Sequence, residues 1–488
     1  MISAETLIDA VVVDELRGKP ETIAEVAGIT ADSREVVPGG CFVAVRGVAV
    51  DGHRFIGSAL EKGAAIIVAE ELPAELPAGV VGVRVPDSRA ALGHLASRFY
   101  GDPSDELTLV GVTGTNGKTT IATLLYELAR MRGLKAGLLS TVENKIDTEV
   151  VAADHTTPDP VQLNALLRRM VDAGCTFAAM EVSSHAADQH RIAGLTFAGG
   201  IFTNITRDHL DYHKTFDAYL AAKKSFFDML PDHAFALTNL DDRNGMVMLQ
   251  NTEARPRATY SLRDMADFRV RIVEDRIDGM LLEFDGQQVE TMFVGRFNAS
   301  NLAAVYGAAC LLGVPRQEAL VCMSRLMPVA GRFQPFRSAD GVTAIVDYAH
   351  TPDALINVLD TIAEVAADDA RVITVCGAGG DRDKGKRPLM ARAAADRSDL
   401  VILTSDNPRT EDPEAILADM KAGLTAGDAD KVITITDRGE AIRRAAAEAR
   451  PGDIILLAGK GHEDYQVIGT EKIHFDDREE IKAALKSR

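Results

Sequence analysis

Short apolar runs alternate along this chain with longer stretches in which apolar residues recur every three or four positions. The first pattern predicts buried strands and the second predicts amphipathic helices. The alternation is most regular in the last third, where the runs 342–346, 371–376, 400–404 and 453–458 are separated by helical stretches. Strands that alternate with helices form parallel sheets covered on both faces. The pattern predicts an α/β protein that ends in a doubly wound, Rossmann-like domain.

The same patterns predict three domains. A chain of 488 residues is too long for one ordinary core. Residues 1–103 form a small α/β domain with strands over 41–45 and 63–69 and a closing helix over 88–100. Residues 104–334 form a central domain with a mainly parallel sheet and antiparallel hairpins between 270 and 294. Residues 335–488 form the doubly wound domain.

Composition and charge exclude several classes of protein. The net charge of −19 argues against non-specific binding to nucleic acid or to an anionic membrane. No apolar run approaches the ~18–20 residues that a membrane-spanning helix needs, and we expect no secretory signal. The five cysteines are scattered and form no CxxC pair, which favours a reducing cytoplasm. We expect a cytoplasmic enzyme.

A glycine loop between a predicted strand and a predicted helix is the strongest chemical signal. The apolar run 107–110 leads into Gly114-Thr115-Asn116-Gly117-Lys118-Thr119-Thr120, and helical spacing follows. The glycines allow backbone N–H groups to turn inward, Lys118 can reach the terminal phosphates, and Thr119 can hold Mg²⁺. A glycine turn that merely precedes a helix would explain neither the lysine nor the paired threonines. The stretch predicts nucleotide binding.

Two further segments carry candidate polar chemistry in the central domain. The apolar strand 177–181 ends in Glu181, a place where phosphate-loop proteins hold Mg²⁺ beside the nucleotide. His209 and His213 are four residues apart, but no glutamate follows His209 as in zinc proteases, so zinc is not expected. A solvent-exposed glutamate at a strand end is the alternative for Glu181.

Lys223 falls on the apolar face of a predicted helix, together with Tyr219, Phe226 and Phe227. Lysine rarely lies on a buried face without a partner. One interpretation is a side chain that extends its ammonium to solvent, and spacing alone favours it. The other is a paired or chemically modified functional lysine.

Each strand of the predicted C-terminal sheet is followed by a polar loop. These loops are 347–350, 377–383, 406–409 and 459–463. Ligands of such sheets bind beyond the carboxyl ends of the strands, so we expect the four loops to line one crevice. Arg382 occupies the place of the third glycine of a dinucleotide fingerprint, so nicotinamide binding is not expected.

Taken together, the motifs resemble those of the Mur ligase family, ATP-dependent amide-forming enzymes of cell-wall precursor synthesis. The resemblance covers nearly the whole chain. It is carried by Gly114-Thr-Asn-Gly-Lys-Thr-Thr120, Glu181-Val-Ser-Ser-His185, Thr203-Asn-Ile-Thr-Arg-Asp-His-Leu-Asp211, Tyr219-x-x-Ala-Lys223, Asn298-Ala-Ser-Asn301, Gly331-Arg-Phe333, Asp347-Tyr-Ala-His-Thr-Pro-Asp353, Gly379-Gly-Asp-Arg-Asp-Lys-Gly-Lys-Arg-Pro388 and Gly459-Lys-Gly-His-Glu463. Two positions depart from the family pattern: Phe297 stands where several branches have histidine, and His155 where asparagine is expected.

The resemblance implies a set of substrates and roles. Residues implied to contact UDP-N-acetylmuramoyl-L-alanyl-D-glutamate are Ser33, Thr156, Thr157, Ser183, Gln189 and Arg191. Residues implied to bind ATP are Gly114 to Thr120, Asn301, Arg332 and Asp347. Mg²⁺ is implied on Thr119, Glu181 and His209, with a second ion on Lys223 carbamylated by CO₂. Lys118, His209 and Lys223 are the implied catalytic residues.

The loop Asp406-Asn407-Pro408-Arg409 resembles that of family members that add meso-diaminopimelate. The same resemblance implies that Arg382, Gly459 and Glu463 complete this amino-acid site. The implied reaction phosphorylates the γ-carboxylate of D-glutamate, and the incoming amine attacks the acyl phosphate. We expect a monomer with small-molecule substrates. The rivals are a folylpolyglutamate synthetase of the same superfamily and a phosphate-loop switch that hydrolyses nucleotide to move a partner.

Overall fold

The computed structural model describes residues 2–47, 50–151, 156–206, 210–367 and 369–488, with the backbone alone for 210 and 211. Two compact units divide the chain. The first contains residues 1–269 and 301–322, and the second contains 270–300 and 323–488. This division follows contacts, whereas the three predicted domains follow sequence patterns, and their boundaries stay a prediction.

The first unit begins with a five-stranded sheet. Its order is β1-β5-β4-β3-β2, with β1 antiparallel to β5 and the other pairs parallel. The predicted strands at 41–45 and 63–69 are confirmed as β3 and β4, and the closing helix as α3. The elements are α1 Ala4–Ile8, β1 Glu15–Arg17, β2 Ile29–Thr30, β3 Cys41–Ala44, α2 Ile56–Glu61, β4 Ile66–Ala69, β5 Val81–Arg84 and α3 Ser88–Phe99.

The rest of the first unit is built on a larger, mainly parallel sheet. Its elements are β6 Thr108–Thr113, α4 Lys118–Met131, β7 Ala136–Leu139, β8 Asn144–Ile146, β9 Glu149–Val151, α5 Pro160–Asp172, β10 Phe177–Glu181, α6 Ser184–Asp188, β11 Gly199–Phe202, α7 Leu210–His213, α8 Phe216–Asp228, β12 Phe235–Asn239, α9 Gly245–Met248 and β13 Arg257–Ser261. The order is β13-β12-β11-β6-β10-β7-β8-β9. The strand before the phosphate loop, β6, is therefore central, between β11 and β10, and its carboxyl end adjoins theirs.

The predicted hairpins after residue 270 are confirmed in the second unit. The strands are β14 Phe268–Arg276, β15 Gly279–Phe284 and β16 Gln287–Thr291, and β15 pairs antiparallel with both neighbours. The first residues of β14 pair instead with β13 in the first unit's sheet. Two helices follow, α10 Arg296–Leu311 and α11 Arg316–Met323.

The remainder of the second unit is the predicted doubly wound sheet. Its order is β17-β18-β22-β19-β20-β21, with all pairs parallel except β17 with β18. Apolar clusters cover both faces, because alternate residues such as Leu456 and Leu457 point in opposite directions. The elements are β17 Gln334–Arg337, β18 Thr343–Asp347, α12 Pro352–Val365, β19 Val372–Cys376, α13 Lys386–Arg397, β20 Leu400–Leu403, α14 Pro413–Lys421, β21 Val432–Thr434, α15 Arg438–Glu448, β22 Ile454–Ala458, β23 Tyr465–Ile468, β24 Glu471–His474 and α16 Asp477–Lys486.

In the described parts of the chain, no helix combines the length and the apolar character that a membrane crossing needs.

Candidate active site

The predicted phosphate loop joins the carboxyl end of β6 to the first turn of α4. Gly114 and Gly117 have φ angles of +148° and +89°, a region that favours glycine. A Cβ on Gly117 would lie 2.5 Å from the side-chain oxygen of Asn301. Lys118 Nζ donates to the carbonyl oxygens of Gly114 and Thr115 at 3.0 and 2.9 Å. The lysine and the helix N-terminus therefore meet at one loop, as a phosphate site requires.

Asn204, just after β11, holds this loop through its own amide. Its Oδ1 accepts the Asn116 N–H at 3.0 Å, and its Nδ2 donates to the Asn116 carbonyl at 3.1 Å. The Asn204 carbonyl also accepts the Thr115 N–H at 2.8 Å. Sequence reasoning placed Asn204 in a motif but gave it no role. Its position after a neighbouring parallel strand is the signal that could have found it.

Lys223 reaches the same loop from α8. The residue is 1% exposed, and its Nζ donates to the Gly114 carbonyl at 2.7 Å. The ammonium also lies 4.6 Å from the centre of the Tyr219 ring, and the Tyr219 hydroxyl is 3.0 Å from Thr115 Oγ1. The buried face predicted for this helix is confirmed. The interpretation in which Lys223 extends to solvent is wrong, because a buried backbone carbonyl takes its ammonium.

Glu181 ends β10 at a point directly opposite Val112 of β6. It is 1% exposed, which rules out a solvent-exposed strand end. Its Oε1 accepts the Thr141 N–H at 2.7 Å, while the buried Oε2 has no hydrogen-bond partner among the described residues. A buried carboxylate oxygen without a partner is costly unless a cation or donor joins it, so the residue fits a Mg²⁺ ligand. Its implied co-ligand His209 lies outside the described residues.

Four of the predicted dipeptide contacts form one hydrogen-bonded cluster. Arg191 donates to the Thr157 carbonyl at 2.8 Å and to Gln189 Oε1 at 3.1 and 2.8 Å. Thr157 Oγ1 donates to the Glu181 carbonyl at 2.9 Å and lies 3.4 Å from Ser183 Oγ. Burial lowers the pKa of Arg191, whereas the negative charge of nearby Asp159 acts to raise it. The cluster links Gln189 and Arg191, through Thr157, to the backbone of Glu181 at the end of β10.

A cavity of about 270 Å³ opens next to this cluster. Gln189 and Arg191 line it from the turn after α6, and Val45, Arg89 and Leu92 line it from the N-terminal part of the chain. Arg89 was missed by sequence reasoning, because nothing in its pattern separates it from a surface arginine.

Three further positions that the sequence analysis singled out are Thr156, Ser33 and His155. Thr156 accepts a hydrogen bond from Thr141 Oγ1 at 3.1 Å. Ser33 is buried in the turn after β2, but it is not among the described residues that line the cavity. His155 lies outside the described residues.

In the second unit, the polar loops follow β18, β19, β20 and β22, which are adjacent and parallel. The four loops therefore lie at one edge of the sheet, as predicted, and the crevice between them stays a prediction. Asp347, at the end of β18, accepts the N–H groups of Phe333 and Ala349 at 2.7 and 2.8 Å. Burial raises the pKa of Asp347, and Arg332 opposes the rise. The Arg332 guanidinium stacks over Tyr348 at 4.6 Å.

Lys460 joins two of these loops. It is fully buried, and its Nζ lies 3.4 Å from Asp406 Oδ1, 3.2 Å from Asn407 Oδ1 and 3.2 Å from Glu463 Oε2. Burial favours protonation of both carboxylates, and nearby Lys460 and Arg438 nevertheless lower the pKa of Asp406. The pKa of Glu463 is raised by burial and by the Asp406 charge. The Asp406 and Glu463 carboxylates therefore share the single ammonium of Lys460.

Arg409 and Arg382 lie on the loops after β20 and β19. Arg409 Nη1 donates to the Gly380 carbonyl at 2.9 Å, and Arg382 is exposed. Both side chains flank Gly379, where a Cβ would lie 3.0 Å from Arg409 Nη1 and 3.7 Å from Arg382 Cγ. Gly459, at φ +117°, lies beside Asp406. Glu411, which could have paired with Arg409 at the surface, pairs instead with Arg387 and Lys384.

Three family models match the chain in order. They are described as the Mur ligase family catalytic domain over 25–100, the Mur ligase middle domain over 112–309 and the Mur ligase glutamate ligase domain over 331–461.

Similar proteins align with nearly the whole chain. A Phocaeicola vulgatus protein named UDP-N-acetylmuramoyl-L-alanyl-D-glutamate–2,6-diaminopimelate ligase is 59% identical over 98% of both chains. A Parabacteroides distasonis protein of the same name is 60% identical over 94% of this chain and 94% of its own. A solved structure with this name aligns with a TM-score of 0.73 at 36% identity, over 100% of this chain and 99% of that one. The chain belongs to the Mur ligase family.

Proposed function

We propose that this protein is an ATP-dependent amide ligase that adds meso-diaminopimelate to UDP-N-acetylmuramoyl-L-alanyl-D-glutamate in peptidoglycan precursor synthesis. The observation that carries the proposal is 59% identity, over 98% of the chain, with a relative of that name. The γ-carboxylate of D-glutamate displaces ADP from the γ-phosphorus, and the amine then displaces phosphate from the acyl phosphate and loses a proton. Phosphorylation is needed because a carboxylate is a poor acyl donor.

In this proposal the phosphate loop binds ATP through Gly114, Thr115, Asn116, Gly117, Lys118, Thr119 and Thr120. Asn301 lies beside Gly117 in the first unit. Arg332 and Asp347, in the second unit, stay proposed nucleotide contacts. Mg²⁺ would be held by Thr119, Glu181 and His209, and would neutralise charge on the phosphates. Glu181 Oε2, which has no hydrogen-bond partner in the described part of the chain, supports this assignment.

We propose that Lys223 is carbamylated. Its neutral amine adds to CO₂ and releases a proton, which leaves a carboxylate-like anion able to hold a second Mg²⁺. Complete burial, next to the phosphate loop, supports this assignment, because the unmodified ammonium would stand beside Lys118 at a site already rich in cations.

The dipeptide substrate would occupy the 270 Å³ cavity and the adjoining cluster of Thr157, Ser183, Gln189 and Arg191. Ser33 and Thr156 stay proposed contacts. Diaminopimelate would be received in the second unit, with its amine at Glu463 and Asp406 and its distal carboxylate at Arg409 and Arg382. A guanidinium binds a carboxylate through two hydrogen bonds, which fixes orientation. Asn407, Pro408 and Gly459 would shape that site.

The test is ADP release by the purified protein with each substrate omitted in turn, followed by a panel of diamino acids. We expect turnover to require both the UDP-dipeptide and meso-diaminopimelate. Turnover with nucleotide alone would favour the switch, and turnover with a folate and glutamate would favour the folylpolyglutamate synthetase. We also propose a cytoplasmic location, which the scattered cysteines without a CxxC pair support, and a monomeric state.

A further inference from the structure

The loop after β19 and the loop after β20 approach each other closely in the second unit. The Gly380 N–H donates to the Asn407 carbonyl at 2.9 Å, and Arg409 Nη1 donates back to the Gly380 carbonyl at 2.9 Å. A Cβ on Gly380 would collide with the Pro408 carbonyl. These contacts set the distance between the segments that carry Arg382 and Arg409.

Each loop also contains a non-glycine residue in left-handed backbone. Asp381, which precedes Arg382, has φ +53°, and Arg409 has φ +51°. Such conformations are unfavourable for residues with a Cβ and persist where surrounding contacts over-determine them. The contacts that hold Asp381 and Arg409 in this conformation therefore also restrain the backbone segments that carry the Arg382 and Arg409 side chains.

Glu411 supplies a further contact between the loops and ties it to a buried arginine. Its Oε1 accepts the Asp381 N–H at 2.6 Å and Arg387 Nη2 at 2.8 Å, and its Oε2 accepts Arg387 Nη1 at 3.1 Å. Arg387 is 1% exposed and also donates to the Gly379 carbonyl at 3.2 Å. Thr410 Oγ1 adds hydrogen bonds of 2.9 Å to the Asp381 carboxylate.

The Glu411 carboxyl group is ionised at neutral pH. Side-chain hydrogen bonds from Arg387, followed by the Asp381 N–H, lower the pKa of Glu411 to about 2. Arg387 binds it in the two-bond geometry that fixes orientation as well as distance. Glu411 is therefore a rigid link between a buried arginine and the strained turn at Asp381.

We propose that Glu411, anchored by Arg387, is a specificity-determining positioning residue for the amino-acid substrate. It holds the Arg382 and Arg409 loops at the spacing at which their guanidinium groups receive the distal carboxylate of a diamino acid. Glu411 does not touch substrate. This inference rests on the proposed function, which assigns that carboxylate to the two arginines.

The experiment measures kcat/KM for meso-diaminopimelate and for L-lysine. The proteins compared are wild type, Glu411→Gln, Thr410→Val and Asp419→Asn. Arg409→Lys is the reference, because it removes a guanidinium that is proposed to bind the distal carboxylate. Asp419 is the matched control, because it also pairs with Arg387, at 2.8 Å, but contacts neither strained residue. Misplacement by about 1 Å can cost ~100-fold in rate, so we expect Glu411→Gln to lower the preference for diaminopimelate by ~10- to 100-fold. The KM values for ATP and for the UDP-dipeptide should stay unchanged.

Thr410→Val should also lower the preference for diaminopimelate, by a smaller factor. If Glu411→Gln does not fold, the result for Thr410→Val tests the inference in its place. Asp419→Asn should keep the wild-type preference. A selective wild type whose preference survives both Glu411→Gln and Thr410→Val would overturn this inference alone. An equal loss of preference in Asp419→Asn would also overturn it. The loss would then follow from removing any ion-pair partner of Arg387, and not from the link between Glu411 and Asp381. Absence of any diamino acid-dependent ADP release in wild type would instead overturn the proposed function.

Discussion

At the scale of single residues, Lys118 is the group whose removal most directly tests nucleotide chemistry. Its ammonium already lies at the phosphate loop, 3.0 Å from the Gly114 carbonyl. We expect Lys118→Ala to lower the rate of ADP release by hundreds-fold, because losing one preorganised charge typically costs ~3–4 kcal/mol of transition-state stabilisation. Lys135→Ala is the control, since Lys135 also donates to a backbone carbonyl, at 2.9 Å, but away from the loop. Near-wild-type turnover of a folded Lys118→Ala protein would contradict the ATP assignment.

Lys223 allows a chemical test of its proposed modification. Lys223→Ala should be nearly inactive, and short carboxylates such as acetate or formate should restore part of the activity by occupying the place of the carbamate. Lys224→Ala should retain activity without any such effect, because Lys224 pairs with Asp228 on another face of α8. An active crystal with bound Mg²⁺ and an unmodified ammonium at Lys223 would refute carbamylation.

At the scale of elements, the turn between β6 and α4 depends on Gly117. Alanine there meets two obstacles, a φ of +89° and the Asn301 side chain 2.5 Å from the new Cβ. We expect Gly117→Ala to raise the KM for ATP by at least ~10-fold, because the loop must shift at the phosphates. Gly133→Ala, just beyond the end of α4, is a matched control with φ +80° and nothing within 4 Å of its Cβ. Both variants should lose stability by ~1 kcal/mol from the left-handed backbone. Equal KM values for ATP in the two would argue against the close approach of Asn301.

Elements and their edges were predictable from the sequence, whereas pairings between distant segments were not. Apolar periodicity located the strands, and the rule for parallel sheets then placed the four polar loops at one edge. The amide pairing of Asn204 with Asn116 joins residues 88 positions apart and depends on β11 lying beside β6. The direction of the Lys223 side chain was misjudged for the same reason, because its partner is a carbonyl 109 residues away.

At the scale of the whole molecule, a buried ion pair joins two helices of the second unit. Arg438, at the start of α15, and Asp477, at the start of α16, are both fully buried, with an Nη2 to Oδ2 distance of 2.6 Å. Arg438 also donates to the Ser405 carbonyl at 3.5 Å and to the Ala458 carbonyl at 3.1 Å. These carbonyls directly precede the Asp406 and Gly459 loops, so the pair supports two of the four polar loops at once.

The last prediction concerns the energy of this pair. Removing one partner of a buried ion pair leaves an uncompensated charge, so we expect Asp477→Ala to lower the free energy of unfolding by ~3–5 kcal/mol. Arg443 and Glu480 form a matched exposed pair between the same two helices, at 3.4 Å, and Glu480→Ala should cost at most ~1 kcal/mol. Urea unfolding of both variants, followed by circular dichroism, measures the difference. The double variant Arg438→Met/Asp477→Leu should regain much of the stability, because apolar side chains of similar volume can replace a buried pair. It should still raise the KM for diaminopimelate, since Met cannot donate to the Ser405 and Ala458 carbonyls. If Asp477→Ala and Glu480→Ala lower the free energy of unfolding by the same small amount, the buried pair does not hold the two helices and strand ends together.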